Sequence, residues 1–509
     1  MMPDKRENAV GETWNSLTRL WKIRCVSNWS RQNQISLGWF SQFTQSQQVN
    51  WKQYNTIQPC KGVDNIMDDE RVLPKAVEKP AAKAKSKVSA RTITLVAALF
   101  LGFIMIYFDK NAIGIILVSM QQDFGFSNVQ KGMVMSAFFI GYAAMQVPAG
   151  ILNTKLGSKP ILTFAMAAIA VFATLAGFAK AVMFIIVIRF LAGAIAHSGY
   201  APSAAKEVAT KLPLDQRTLA QGILISASGI AGIIVPLVVS PVLADYGWQR
   251  AFWMIAGASI IVGIILRFVL PSDKKTKNLT AENADDAVAA EEVPAAKLRE
   301  VISEPFVWLL GVLNFTINAM MYGMLNWMPS YLIQSVGLST IVQGHITAIG
   351  GAAFLVGAIG GSYIVGKFFF GKEKTVIGIA GMLGALSLFT ASMSTDTGLI
   401  TVALSLGEFF CATTFVTLMS LPVKRFAPHK FGPSYAIVAT GGILGGIVSP
   451  TLIGLLVDMA SGAYFMVFIY FVILGALLFV LSRFIPKHKP VENEVNGNSP
   501  NTYSSFWTT

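Results

Sequence analysis

The chain has 509 residues, of which 53% are hydrophobic and only 13% are charged. A soluble domain carries about one quarter charged residues, so these totals exclude an ordinary soluble protein and indicate a membrane protein. The formal net charge is +13, but the charges lie in the two tails and in short loops. Such a distribution bears on membrane orientation and predicts no nucleic-acid partner.

The first ninety residues precede any long apolar segment. Residues 1–66 are polar, contain several tryptophans and lack the layout of a signal peptide. Met67 then begins a charged stretch rich in Ala, Lys and Pro, which is typical of disorder. We predict a disordered cytoplasmic tail over residues 1–90. One hypothesis is that Met67 is the natural start and that residues 1–66 are not native.

Twelve apolar segments of membrane-spanning length follow. Backbone groups in lipid must be hydrogen-bonded within the segment, so each segment is predicted to be a helix. A charged stretch divides them six and six, which predicts an all-α membrane protein made of two bundles, at 91–271 and 305–486, with a cytoplasmic linker at 272–304 and a disordered tail at 487–509. The segments lie at 93–119, 129–152, 160–179, 181–205, 218–242, 251–270, 305–332, 342–366, 375–394, 397–421, 434–457 and 462–485.

Basic residues concentrate in the loops that follow the even-numbered segments. The opposite loops carry few, namely Lys131, Lys180 and Arg250. The positive-inside rule therefore predicts a multi-pass protein of the cell membrane with both termini in the cytoplasm. The lipid bilayer is the predicted environment, and we expect a monomer.

The first segment carries two adjacent charges, Asp109 and Lys110, near its middle. A charge at this depth costs at least ~2.5–3.5 kcal/mol, so it predicts a functional site. Neighbours on a helix point about 100° apart and cannot serve one partner on one face. Lys110 shares a face with Tyr107, whereas Asp109 is expected to face a neighbouring helix.

Further polar side chains recur at helical spacing in two other segments. Tyr142 and Gln146 lie four residues apart in the second segment. The seventh segment carries a polar stripe in steps of four residues. Both sets can line a cavity or simply hydrogen-bond neighbouring helices, and the pattern leaves these alternatives open. The stripe consists of Asn314, Asn318, Tyr322 and Asn326.

Two groups are candidates for carrying a coupling proton. Glu408 is a lone carboxylate in the tenth segment, which is a functional hypothesis by default. His197 in the fourth segment can exchange protons near neutral pH, or it can be a neutral packing residue. The same doubt applies to His345, whereas Glu207 is expected to form an ion pair at a helix end.

Few patterns in the chain point to catalysis or to a cofactor. The cysteines, Cys25, Cys60 and Cys411, are too few and too scattered for a disulfide framework or a metal site. None of the four histidines has metal-ligand spacing. The sequence contains no phosphate-binding loop, dinucleotide fingerprint or nucleophile elbow. We therefore expect no enzyme, no metal and no cofactor.

The helix plan and an ordered series of motifs resemble the major facilitator superfamily. Within it, the chain resembles the anion:cation symporter family, which includes bacterial sugar-acid carriers and relatives of sialin and the vesicular glutamate transporters. The resemblance covers about residues 91–485 and implies twelve helices that transport by alternating access. The motifs are YFDKNAIG (107–114), RFLAG (189–193), GWQRAFW (247–253), NWMPSYL (326–332) and GLLVDMASGAY (454–464).

The resemblance implies roles for the charges of the first segment. The acid, Asp109, would pair with Arg189, and the base at Lys110 would face the carboxylate of the substrate. It also implies that Tyr142 lies in the cavity. The family has Arg where this chain has Lys110, and a lysine is a point charge that holds a carboxylate less rigidly.

The chain departs from the family at three further places. Family members that carry sugar acids with protons have a glutamate seven residues after the arginine, where this chain has Ala196. His197 follows it, about 80° from the direction of Arg189 on an α-helix. Ala439 and Ile443 replace asparagines that contact sugar hydroxyls. The apolar replacements favour a smaller or more apolar anion over a polyhydroxylated one.

The loop after the second segment resembles the gating loop of the superfamily. It reads GILNTKLGSK over residues 150–159, with Thr154 where an aspartate is usual. Without that acid, we expect a weaker latch at the cytoplasmic side. The candidate gating residues are Gly150, Lys155, Gly157 and Lys159.

These features together predict a secondary active transporter for proton-coupled uptake of a small organic anion, either a carboxylate or a sugar acid. An exchanger or exporter of organic anions or amphipathic compounds is the alternative. A non-transporting membrane sensor or scaffold is a more remote reading. The predicted substrate-binding residues are Tyr107, Lys110, Tyr142, Gln146, Asn314, Asn318 and Tyr322.

Overall fold

The computed structural model describes residues 89–271 and 298–486. The predicted tail at 487–509 and the hypothesis about Met67 lie outside the described residues. The predicted tail at 1–90 does so as well, except for its last two residues. The predicted linker is described only from residue 298, where it contains the short helix Leu298–Ile302.

Long helices make up almost all of the described residues. Gly247 has φ 81° and ψ 172°, which interrupts Leu214–Val269 and separates α5 (214–246) from α6 (248–269). The twelve predicted spanning helices are thereby confirmed. The others are α1 (Ala90–Phe124), α2 (Asn128–Leu156), α3 (Ser158–Gly177), α4 (Val182–Lys211), α7 (Pro305–Ser335), α8 (Thr340–Phe368), α9 (Glu373–Ser392), α10 (Thr397–Arg425), α11 (Pro428–Met459) and α12 (Phe465–Ser482).

The short turn between α1 and α2 shows how local sequence sets these boundaries. Gly125 ends α1 in the left-handed region at φ 65°, where glycine is unstrained. Ser127 then caps α2, and its side chain accepts from the backbone N–H of Gln130. The side chain of Gln130 accepts in return from the N–H of Ser127 at 2.9 Å. This reciprocal capping box satisfies two free donors at the start of the helix.

Helix α4 is not α-helical throughout. Its first part, Val182–Leu191, continues into a π-helical segment, Ala192–His197, and the α-helix resumes at Tyr200. A π turn closes one residue later than an α turn, so side chains after it are rotated relative to those before it. Arg189 lies just before this segment and His197 is its last residue. The rotation therefore changes the direction in which His197 points relative to Arg189.

The helices of the first half, α1 to α6, meet those of the second half mainly through three pairs. These pairs are α2 with α11, α5 with α8, and α1 with α7. At one end the backbones touch: a Cβ added to Gly132 would lie 2.4 Å from the carbonyl oxygen of Pro450. Only glycine permits this approach, so the two halves are closed against each other there.

The opposite end of the molecule is open. Residues 143–148 of α2 are all exposed, although six consecutive residues cover every face of a helix. In contrast, residues 134–139 of the same helix are all buried. The buried residues that follow this stretch, Ala149 and Asn153, contact α4 of the same half. Among the described residues, the second half therefore leaves this end of α2 uncovered, where the basic loop motif follows it.

Large apolar side chains cover much of the outer surface of the described helices. Examples are Val147, Phe268 and Ile261, which are 72%, 82% and 61% exposed. A soluble monomer rarely exposes continuous apolar surface on this scale. Together with eleven continuous helical stretches that are long and apolar enough to cross a bilayer, this surface belongs to a multi-pass membrane protein.

Candidate functional site

A cavity of about 210 Å³ lies between the two halves and is bounded by α1, α5, α7, α8 and α10. Its lining is mainly apolar, with Met, Leu and Phe side chains. Two ionisable groups of opposite charge, Lys110 and Glu408, share it. The other polar side chains of the lining are Tyr107, Asn111, Ser228, Asn318, Tyr322 and Thr347.

Lys110 lies within a group of aromatic rings. Its Nζ is 4.5 Å from the ring centre of Tyr322, 5.1 Å from that of Phe139 and 5.8 Å from that of Tyr107. It donates one hydrogen bond to the hydroxyl of Tyr322, at 3.1 Å. Among the described residues, no carboxylate lies within ion-pair distance of Lys110. Rings and one hydroxyl hold the ammonium group in position without neutralising its charge.

Asp109 has the opposite environment, although it is the next residue along α1. Its Oδ2 accepts a hydrogen bond from Nη1 of Arg189 at 3.0 Å and lies 2.9 Å from Nε2 of His197. All three side chains are buried. The ring of Phe138 packs against both partners, 4.7 Å from the guanidinium and 4.7 Å from the imidazole. This cluster joins α1 to α4.

The π-helical segment of α4 explains how His197 reaches Asp109. On a continuous α-helix, the residue that shares a face with Arg189 would be Ala196, seven positions on. The π segment takes up one additional residue, so the eighth position, His197, comes to that face instead. The expected 80° offset was therefore wrong, because it assumed α-helical geometry throughout.

Glu408 faces the cavity from α10. Its side chain lies beside α8, where a Cβ added to Gly350 would be 3.6 Å from Cγ of Glu408. No hydrogen bond or ion pair to Glu408 occurs among the described residues. The buried hydroxyl of Ser405, one turn earlier, also lacks a partner within that part of the chain. The carboxyl group is thus available to protons and to ligands in the cavity.

Three of the predicted substrate-binding residues, Tyr142, Gln146 and Asn314, are not among the residues that line this cavity. Tyr142 stacks on Phe138, with 6.5 Å between ring centres. Gln146 is exposed at the open end of α2. Asn314 donates to the carbonyl of Val438 on α11 at 2.8 Å, and its Oδ1 accepts from Asn318. The polar stripe of α7 therefore divides into a packing part and a cavity part.

The candidate gating residues lie at the open end, where α2 passes into α3. Gly157 adopts φ 86° at the junction. Nζ of Lys159 donates to the carbonyl of Leu270 at the end of α6. Lys155 is exposed, and a side chain at Gly150 would meet nothing within 4 Å. The contacts of this loop thus lie within the first half.

Several residues of the site were not singled out from the sequence. Asn111, Ser228 and Thr347 line the cavity, and Phe139 packs on Lys110 from α2. Asn111 could have been found, because it is a polar residue in a spanning segment directly after Lys110. The role of Phe139 depends on how α1 and α2 pack, which spacing within one helix does not reveal.

Comparison with known proteins places this architecture in a family. The family model of the Major Facilitator Superfamily matches residues 99–433 and 364–508. The chain belongs to the major facilitator superfamily. Members of this superfamily are transporters and not enzymes, so the cavity is the candidate substrate site of a membrane transporter.

Two relatives illustrate the similarity of this chain to transporters that are named for organic anions. A probable sulfoacetate transporter of Cupriavidus necator is 29% identical over 406 residues, covering 77% of this chain and 93% of that protein. A probable galactarate/D-glucarate transporter of Bacillus subtilis is 27% identical over 431 residues, covering 79% and 90%.

A solved superfamily structure agrees with the fold. The crystal structure of a bacterial homologue of the human lysosomal transporter Spinster, inward-facing and unoccupied, superposes with a TM-score of 0.66. The two chains are 15% identical, and the match covers 78% of this chain and 98% of the other. At this identity, the comparison supports the twelve-helix fold alone.

Proposed function

We propose that this transporter takes up a small organic anion together with protons. The observation that carries the proposal is Lys110, a cation that lines the central cavity with no carboxylate partner among the described residues. An ionisable residue inside a membrane protein is a functional site by default, and its natural ligand here has the opposite charge. The relatives are named for sulfoacetate and galactarate/D-glucarate, which are organic anions.

The surroundings of Lys110 suit a carboxylate or sulfonate group. An ammonium group has three donors, and Tyr322 takes one of them. The remaining donors are available to oxygen atoms of a ligand in the cavity. Contact with the faces of Tyr107 and Phe139 holds the amine while excluding water, which strengthens its attraction for an anion.

Glu408 supplies a physical basis for coupling to protons. It lines the same cavity as Lys110, so its ionised form repels an anion there. Protonation removes this repulsion, and by linkage a bound anion favours protonation to the same extent. His197 is the second candidate, because a proton on its ring would change the balance of charge around Asp109 and Arg189.

The lining favours an anion with few hydroxyl groups. Most of the surface opposite Lys110 is apolar and includes Met321, Met328, Phe354 and Phe415. A polyhydroxylated acid would leave its hydroxyls without partners against these side chains, which is unfavourable. We therefore propose a compact anion of the size of sulfoacetate in preference to D-glucarate.

The open end carries the basic loops, so under the positive-inside rule it is the cytoplasmic end. On that assignment both termini are cytoplasmic, and the conformation described is inward-facing. Uptake then proceeds by closing this end and opening the other around Lys110.

Export of amphipathic compounds is a second candidate function, and the apolar lining is the observation that favours it. Methionine side chains adapt to ligands of different shapes. Such an exporter would bind hydrophobic cations or neutral compounds at least as well as anions, which separates the two candidates experimentally.

The deciding experiment measures uptake into proteoliposomes that hold the purified chain. We expect saturable uptake of sulfoacetate, weaker uptake of D-glucarate and none of neutral D-xylose. Lys110→Ala should lower anion uptake on the order of 100-fold, since a hydrogen-bonded charged contact contributes about 1.5–3 kcal/mol.

Lys367→Ala is the matched control, because Lys367 is exposed at the open end and lies outside the cavity lining. We expect it to retain uptake. Full uptake of sulfoacetate by the Lys110→Ala protein would disprove the role of Lys110. Preferential transport of hydrophobic cations by the unmodified protein would favour the exporter.

A further inference from the structure

A fully buried lysine lies at the closed end of the molecule. Lys131, in the first turn of α2, is 0% exposed. Its Nζ donates to Oε1 of Gln121 at 3.1 Å and to the hydroxyl of Ser330, and it lies 5.1 Å from the ring centre of Trp327. No carboxylate among the described residues lies within ion-pair distance. All of its near partners are neutral.

These partners come from both halves of the transporter. Gln121 belongs to α1, in the same half as Lys131, whereas Ser330 and Trp327 belong to α7. Oε1 of Gln121 also accepts from Nε2 of Gln334, across the halves, at 3.2 Å. Lys131 is therefore part of the seal that closes this end.

A carboxylate fixes the same end of α2. Asp458, near the C-terminal end of α11, accepts from the backbone N–H of Asn128 at 3.2 Å and from its side chain at 2.8 Å. Its second oxygen accepts from the N–H of Val129 at 2.9 Å. The carboxylate of Asp458 thus caps the N-terminus of α2 and does not pair with Lys131. The amine of Lys131 donates only to neutral acceptors.

A seal alone does not require a charge at this position. A methionine or leucine against Trp327 would fill the space without removing an ammonium group from water, and such apolar replacements are often as stable or more stable. Burying Lys131 therefore costs free energy in the closed state, and a function of the lysine in the open state explains why it occupies this position.

Alternating access parts the two halves at this end. Ser330 and Trp327 then move away with α7, and Lys131 keeps only Gln121 as a hydrogen-bond partner. The amine of Lys131 is then exposed at the entrance of the opened cavity, and its remaining N–H donors lack acceptors. Gln121 follows Lys110 by eleven residues on α1, so the two lysines are separated by about 16 Å along the helix axis at 1.5 Å per residue.

We propose that Lys131 is an outer anion-binding site, which captures the carboxylate or sulfonate group of the substrate before it reaches Lys110. The proposal rests on the proposed function, that the substrate is an organic anion. In the closed state the hydroxyl of Ser330 takes the place of an oxygen of the anion, while Gln121 remains a partner in both states.

The test is uptake of sulfoacetate into proteoliposomes of known orientation, with KM and kcat measured separately from each face. We expect Lys131→Gln to raise KM at the outer face about tenfold, which corresponds to about 1.4 kcal/mol, while kcat changes little. KM at the inner face should be unchanged. Added salt should reduce kcat/KM less in this variant than in the unmodified protein, because the charge that attracts the anion is gone.

Two further variants control for charge and for folding. Lys180→Gln removes an exposed lysine on the same side of the molecule and should leave both KM values unchanged. Lys131→Arg keeps the charge and should keep the low outer KM, even if the packing against Trp327 is altered. Thermal unfolding of each purified variant identifies any loss of folding.

The possible outcomes separate this inference from the proposed function. An unchanged outer KM in Lys131→Gln, with uptake abolished in Lys110→Ala, overturns the outer site alone. Equal changes in kcat for Lys131→Gln and Ser330→Ala, without a change in KM, would mean that Lys131 only seals the closed end. Retained uptake in Lys110→Ala overturns the proposed function instead.

Discussion

Asp109 and Lys110 are adjacent on α1, yet their side chains lie in opposite electrostatic environments. Asp109 contacts two groups of α4, Arg189 and His197, that can carry positive charge. Lys110 contacts rings and one hydroxyl, with no acid within reach among the described residues. A buried charge that its neighbours neutralise holds helices together, whereas one that they leave unbalanced is available to a ligand.

The two adjacent charges should contribute very differently to stability. Arg189→Ala leaves Asp109 buried with its main partner removed, and breaking a buried pair in this way costs about 3–5 kcal/mol. Lys110→Ala leaves no charge behind and should change the free energy of unfolding much less. Thermal unfolding in detergent measures both.

The double variant Arg189→Met with Asp109→Asn provides the control, since it removes both charges together. We expect it to recover much of the stability lost in Arg189→Ala. If Lys110→Ala were as destabilising as Arg189→Ala, Lys110 would be a structural residue and the contrast would not hold.

The second prediction concerns energy coupling. Glu408→Gln should abolish accumulation driven by a pH gradient but retain exchange of internal for external anion, because the amide removes the titratable group and keeps the shape. For each proton moved per cycle, a gradient of one pH unit contributes about tenfold accumulation, equivalent to about 1.4 kcal/mol. Comparing accumulation with counterflow in proteoliposomes measures the two activities. Unchanged accumulation in this variant would transfer the role to His197.

The third prediction tests the contribution of His197 to the Asp109 cluster. His197→Gln removes the ring that lies 2.9 Å from Asp109, while Arg189 continues to neutralise the acid. We expect a stability loss of about 1 kcal/mol, as for an ordinary hydrogen bond, against the larger loss in Arg189→Ala. Thermal unfolding of the two variants under the same conditions makes the comparison. A loss equal to that of Arg189→Ala would make His197 an equal partner in holding α1 to α4.

The smallest expected effect is at the closed end. Asp458→Asn removes the negative charge from the cap that α11 places on the N-terminus of α2, and a charge at a helix end contributes about 0.3–1 kcal/mol. Since this contact exists only when the halves are together at this end, the variant should shift the population toward the state in which this end is open. Maleimide labelling of a cysteine at Ser136, which bonds Thr451 across the halves, would report the shift.

Asp396→Asn serves as the matched control for that shift. Asp396 caps its own helix, α10, by accepting from the N–H of Leu399 at 2.7 Å. Its loss costs capping energy but does not distinguish the two states of the transporter. Equal labelling in both variants would show that Asp458 does not hold the end closed.

The length and composition of the apolar segments were sufficient to predict the fold. Bilayer thickness fixes the length of a spanning helix, so twelve apolar segments and their division could be found without a structure. Helical spacing also related Lys110 to Tyr107, because both lie on one helix. The partner of Asp109 came from the family resemblance, and the structure brings Arg189 to within 3.0 Å of it.

Relations between helices were harder to predict. Asn314 has the same spacing as Asn318 and Tyr322, but a carbonyl of α11 takes its amide, and no periodicity within α7 contains that information. The π segment was also invisible, since the small residues Ala192, Gly193 and Ala194 suit an α-helix equally well. The contact of Phe139 with Lys110 could not be predicted either, because it depends on how α2 packs against α1.

The π segment of α4 has a consequence for any attempt to carry knowledge from one member of the superfamily to another. Beyond Ala192, this chain runs one position out of step with a relative whose fourth helix is α-helical throughout. A gap-free alignment would match Ala196 with the functional residue of that relative and would declare the function lost. Deleting one residue between Ala192 and Ala196 would bring the two frames together, because the histidine would then follow Arg189 by seven positions on a continuous α-helix and keep its face toward Asp109.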